Sequence, residues 1–175
     1  MIKFNIFLLT MTLFIFGCSK SDSGEDLVLD LQTDMRLVNM SGENLLDPST
    51  PNNYNTNSIK VYYLLNGQKI EMSNTNLDAP RQYMIYKVEA HSNNYPGEYL
   101  IRIYLNKDGL KNSDGVEEAT TYIEWNNAQT DTLVTKVRRN GSSIFTEKIS
   151  YNGVVKWDIT STPKIEDTSF PGRFF

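Results

Sequence analysis

Cysteine and histidine are nearly absent from this sequence: Cys18 and His91 are the single examples of each in 175 residues. One cysteine excludes a disulfide within the chain. One histidine leaves no pair of imidazoles for a zinc site and no Ser-His-Asp constellation once the polar run His91-Ser92-Asn93-Asn94-Tyr95-Pro96-Gly97 is read as a loop. No G-x-S-x-G elbow is present. Beyond the first 17 residues no stretch sustains a 3.6-residue apolar period, which argues against amphipathic helices, and no fixed-period repeat occurs. A basic surplus is missing too: 17 Lys and Arg stand against 21 Asp and Glu, a net charge of −4. That balance argues against nucleic acid as a partner, and against electrostatic docking on anionic lipid.

What is present begins at the N-terminus. Lys3 precedes an apolar run from Phe4 to Phe16, and Gly17 stands just before Cys18. The run is shorter than the roughly 20 residues of a membrane span and has the order of a secretory signal. Cys18 resembles the lipobox cysteine of bacterial lipoproteins, which is diacylated on sulfur and becomes the first residue of the mature chain. The resemblance implies a signal peptide over 1–17, a lipid anchor on Cys18, and a thiol consumed by acylation. Lys3 is the only charged residue before Cys18, so the mature chain is one unit more acidic.

Residues 18–26 read as a lipidated cysteine followed by a small, polar, net acidic tether, Ser19 to Asp26. An acidic run behind a lipidated cysteine is similar to the surface-export signal of Bacteroidetes lipoproteins, although Lys20 and Gly24 interrupt it here. The resemblance covers about the first 26 residues and implies an outer-membrane lipoprotein facing the cell exterior.

Residues 27–175 read as a single β-domain. Asn66-Gly67, Asn140-Gly141 and Asn152-Gly153 are hairpin signals, because both residues accept the positive φ of a type I′ turn. Around the first, Ile59, Val61 and Tyr63 share one face and Ile70 and Met72 continue the alternation. Arg81–Val88 is apolar on both faces and reads as a central strand. Glu98–Leu105 places Tyr99, Ile101, Ile103 and Leu105 on one face. Thr120–Trp125, Thr132–Val137, Ile144–Tyr151 and Val154–Trp157 follow as a meander. Leu27–Leu31 and Met35–Val38 are further candidate strands, while 47–57 and 106–118 read as polar loops. The fold expected is all-β: an antiparallel two-sheet sandwich of immunoglobulin-like or transthyretin-like type, with an up-and-down barrel of lipocalin type as the alternative.

The chemistry on offer is sparse. Loop 106–118 is rich in oxygen ligands, but with Gly115 at the sixth position of an EF-hand, Leu110 and Thr121 fall where carboxylates are needed, leaving only a looser calcium site open. Glu118, Glu124 and Asp131 are acids without a spacing that would pair them. No cofactor or metal is expected, and no catalysis. Aromatic residues are the better lead. Trp125 and Trp157 end strands and are candidate ring-stacking surfaces for a glycan, against a core role that Trp125 suggests by sharing a face with Ile123. The tail Ser169–Phe175 is a second apolar feature, read as docking on its own domain. Asp131-Thr132-Leu133 resembles the short O-glycosylation motif of Bacteroidetes exported proteins, which makes Thr132 a candidate acceptor. The expectation is a non-catalytic surface lipoprotein that binds a glycan or peptide; the alternative is a structural subunit of an envelope assembly.

Overall fold

The computed structural model describes residues 29–91, 95–108, 110–111, 116–140 and 143–160. The signal segment, Cys18, the tether, the tips of loop 106–118 and the C-terminal tail lie outside the described residues, as does the expected turn at Gly141. Among the described residues there are eleven strands: β1 Leu29–Asp30, β2 Gln32–Met35, β3 Lys60–Leu65, β4 Gln68–Glu71, β5 Tyr83–Lys87, β6 Tyr99–Tyr104, β7 Leu110–Lys111, β8 Val116–Asn126, β9 Gln129–Asn140, β10 Ser143–Tyr151 and β11 Val154–Asp158. A 3-10 turn spans Thr56–Ser58. Among the described residues no helix is long and apolar enough to cross a membrane.

The strands form two sheets. The larger runs β1-β10-β9-β8-β3-β4, with β11 beside β10 and β7 beside β8; the smaller runs β2-β6-β5. The pairing is antiparallel except where β1 lies parallel to β10. Neither sheet closes on itself, so the two-sheet sandwich is correct and the barrel alternative is not. The chain changes layers at Leu31, which leaves β1 in one sheet and β2 in the other.

Alternation explains which face is buried. Val61 and Tyr63 point inward from β3, with Ile59 buried just before it, Ile101 and Ile103 from β6, and Leu133 and Val137 from β9. The turn at Asn66-Gly67 has φ of 50° and 78°, and that at Asn152-Gly153 has 48° and 82°, the doubly positive pattern that type I′ requires. Two expectations need correction. β5 is an edge strand rather than a central one: its apolar residues are only half-buried, and Met84 is exposed. Residues 116–118 belong to β8 rather than to a loop. Glu117 turns inward there because Arg139 meets it, Nε to Oε1 at 2.8 Å.

Buried polar groups join the layers. The Tyr63 hydroxyl, on the large sheet, lies 2.9 Å from the Tyr104 carbonyl of the small one. Burial pushes that phenol well above its ordinary pKa, so it stays a hydrogen-bond donor. Asn106 is fully buried and donates to the carbonyls of Leu64 and Thr120, while its backbone N–H donates to Thr121 Oγ1. Its amide thus ties the end of β6 to β3 and β8.

Thr135 behaves differently. Its Oγ1 is buried without a hydrogen-bond partner among the described residues. Replacing it by the isosteric Val removes an unsatisfied hydroxyl and keeps the shape. Thr135→Val is expected to raise the unfolding free energy by about 1 kcal/mol in urea denaturation; a loss of stability would show that the hydroxyl is satisfied.

Candidate functional site

A cleft of about 630 Å³ opens between the loops 39–45 and 51–58 and the β8–β9 turn. Its lining includes five asparagines (Asn39, Asn52, Asn53, Asn55 and Asn126), together with Gln129, Tyr54, Trp125 and the apolar Met40, Leu45 and Pro51. Among the described residues no charged side chain lines it. The volume lies within the range of small-ligand sites.

The floor is built by a β-bulge. The β8–β9 register shifts between Glu124 and Asn126, which makes Trp125 the extra residue. Bulges bend a strand and re-aim side chains, and here the indole turns into the sandwich. Its Nε1 donates to Asp131 Oδ2 at 2.6 Å. Asp131 is fully buried and also accepts from the Tyr151 hydroxyl at 2.6 Å and from Asn152 Nδ2 at 2.8 Å. Tyr54 lies over the indole, with centroids 5.6 Å apart and planes tilted by 31°. Its hydroxyl donates to Gln129 Oε1 at 3.0 Å.

The walls are held from outside the cleft. Arg36 forms a two-pronged ion pair with Glu98, the Nη2–Oε1 distance being 2.9 Å, and also reaches the Gly42 carbonyl. Asn44 Nδ2 donates to Glu98 Oε2 and to the Tyr99 carbonyl, while its Oδ1 accepts from Leu46 N. Loop 39–46 is thereby fastened to the start of β6. The second wall joins the first through Tyr54 N donating to Leu45 O at 2.9 Å. Asn52, at φ 58°, holds a left-handed conformation that asparagine tolerates better than most residues.

The residues singled out by sequence fall in different places. Trp125 is 1% exposed, which corrects the expectation of an open stacking face: Asp131 holds its edge and Tyr54 covers it. Trp157 is half-buried on β11, packs against the core and does not line the cleft. Thr132 is partly exposed on the outer face of β9, opposite Tyr122, whereas the neighbouring Asp131 of the same motif points inward and is committed to the fold. Glu118 is exposed and Glu124 accepts from Tyr62, so the three acids do not converge. His91 is exposed at a turn. Among the described residues no group of His, Cys, Asp and Glu is placed to hold a metal ion; residues 109 and 112–115 lie outside them. Sequence reasoning missed Tyr54 and Gln129. Tyr54, an aromatic residue inside an asparagine-rich loop, was the available signal.

The Arg36 guanidinium holds the Glu98 carboxyl below its ordinary value of 4.5, with Asn44 adding to the effect. A carboxyl depressed in the folded state stabilises the fold above its unfolded pKa, and that contribution is lost as pH falls through the folded one. Melting temperature is therefore expected to drop below about pH 4.5. Glu98→Gln is expected to cost about 1–2 kcal/mol at neutral pH, to flatten part of that acid limb, and to speed amide exchange across 39–46. Unchanged exchange in that loop would refute the fastening role.

Comparison with protein family models, with curated proteins and with solved structures finds no match, so the geometry of the cleft carries the functional reading.

Proposed function

We propose that this chain is a non-catalytic binding module that captures a neutral glycan at the cell exterior, tethered to the outer membrane by lipid on Cys18. The observation that carries the reading is the amide-lined cleft, uncharged among the described residues, with Tyr54 in its lining. Carboxamides offer hydrogen-bonding groups without net charge, which suits sugar hydroxyl and carbonyl groups. An aromatic ring beside them gives a pyranose an apolar face to rest on. Among the described residues the lining holds no carboxylate, imidazole, amine or thiol, which supports binding over catalysis. It also disfavours phosphorylated or carboxylated ligands, since nothing there would offset their charge.

A peptide fits less well. Extended peptides are commonly captured by adding a strand to an open sheet edge, and this cleft is walled by loops and a turn.

Glycan-array binding of the chain, followed by calorimetry, tests the proposal. Tyr54→Ala is expected to weaken binding by about tenfold or more. Affinity should be the same at about 50 mM and about 500 mM salt, because a neutral pair has no ionic attraction to screen. Silence across all neutral glycans would reject the reading, and steep salt dependence would reject the uncharged mode.

One observation favours an assembly role as a second reading. β11 lies at a sheet edge and exposes Val154 and Val155, with Ile159 just beyond it. Exposed apolar edges template pairing with another chain. Under that reading, Val155→Lys is expected to abolish any concentration-dependent self-association in sedimentation velocity, and a monomer at every concentration would discount pairing between copies of this chain.

A further inference from the structure

The two ends of the sandwich are built by different segments. β9 runs the length of the large sheet, from Gln129 to Asn140. The cleft lies at its start, where Gln129 and Asn126 of the β8–β9 turn join the loops 39–45 and 51–58 in the lining. At its far end β9 meets the beginning of β10, with Arg139 opposite Ile144. A strand rises about 3.3 Å per residue, so the stretch from Arg139 back to Gln129 covers about 30 Å.

β1 docks at that far end. Leu29 lies opposite Ile144 and Asp30 opposite Phe145, in parallel. β10 itself runs from Ser143 toward Tyr151, which stands opposite Leu133 near the start of β9. The chain thus enters the described domain at the end opposite the cleft and heads toward it. Residues 19–28 join Cys18 to this entry point. Ten residues span at most about 35 Å when straight, and about 17 Å as a flexible coil. To lay the cleft on the membrane that holds Cys18, the domain would have to turn over and those residues run almost straight back along its length. Few states of a flexible chain meet that demand, so it carries a large entropic cost. The headgroup layer of one leaflet is only about 5–8 Å deep, too shallow for a short glycolipid headgroup to bridge the gap.

We propose that the cleft opens away from the membrane that anchors Cys18, and that its neutral glycan comes from outside that membrane, free or carried on another surface, rather than from a glycolipid headgroup of the same leaflet. This placement rests on the neutral-glycan reading and on the Cys18 anchor, and adds the direction from which the ligand arrives. The entry end faces the bilayer and the loop end faces outward.

The scarcity of cysteine makes the placement measurable. Acylation occupies Cys18, so one introduced cysteine is the only free thiol. Lys107→Cys marks the entry end, where the Lys107 carbonyl accepts from Arg139. Thr130→Cys marks the cleft end without touching the lining. Both positions are exposed. The full chain, made with its signal segment, is reconstituted in phosphatidylcholine vesicles that contain a rhodamine lipid. Energy transfer from a dye on the thiol is expected to place position 107 nearer the bilayer than position 130 by about 20–30 Å. Equal distances, or position 130 nearer, overturn the placement. A free thiol at Cys18, read from the mass of the purified chain, overturns the anchor and the placement together. A second measurement needs no substitution and decides even if a labelled variant fails to fold. The neutral glycan that binds best on the array is titrated onto the reconstituted unaltered chain, with and without the same glycan coupled to phosphatidylethanolamine in the vesicles. A headgroup sharing the leaflet has an effective concentration on the order of millimolar. A cleft able to reach it would be filled, and apparent affinity for the free glycan would fall at least about tenfold; that result overturns the proposal. Affinity unchanged within about twofold is the expected outcome. Silence across the array rejects the neutral-glycan reading and the ligand half of the proposal with it, while the two label distances still decide how the domain stands on the membrane.

Discussion

One buried carboxylate holds together the end of the sandwich at which the cleft opens. Asp131 receives hydrogen bonds from the Trp125 indole, the Tyr151 hydroxyl and the Asn152 amide, groups on β8, on β10 and in the β10–β11 turn. Taking a carboxylate out of water is costly, and several short charge-assisted hydrogen bonds are what make it tolerable. The geometry is demanding, so satisfying Asp131 leaves little freedom in how these elements sit. The bulge at Trp125 follows, since the indole must turn inward to reach the acid. Tyr54 then has a fixed surface to lie on, and Gln129 has a fixed hydroxyl to meet. In a chain without a disulfide among its described elements, this polar knot performs part of what a covalent staple would do at that end.

Rigidity at the cleft has a second source. Loop 39–46 has little regular structure of its own, yet Arg36, Glu98 and Asn44 tie it to β6, and one backbone bond ties the next loop to it. Walls fixed in advance lose less conformational entropy when a ligand arrives. The asparagines serve two ends. The carbonyls of Asn55 and Asn126 shape Asx-type turns, while the NH₂ groups of Asn39, Asn44 and Asn53 brace the loops. The architecture of the loops and the polar lining of the cleft are therefore consequences of the same side chains.

Much of the strand framework was legible in the sequence because it is encoded locally. The alternation of Ile59, Val61 and Tyr63 and the two Asn-Gly turns with doubly positive φ need only neighbouring residues to be read. Where the reading failed, a distant partner had intervened. β5 is apolar on both faces, which suggests a central strand, but the three-stranded sheet puts β6 in the middle and leaves β5 at the edge. Glu117 reads as loop until Arg139, 22 residues on, neutralises it. Trp125 was legible as core through Ile123, but its acid partner was not.

The sequence by itself determined an all-β chain, the positions of its tight hairpins, and which side chains of most strands face inward. These follow from a period of two and from backbone conformations that particular dipeptides favour. Only the tertiary structure decided that the strands form two open layers, and that Tyr54 lies over Trp125 and against Gln129. Tyr54 and Gln129 are 75 residues apart in sequence. No short-range pattern encodes such a meeting, because it depends on how β3 and β8 pair, where the bulge falls, and which buried polar groups must be satisfied at once.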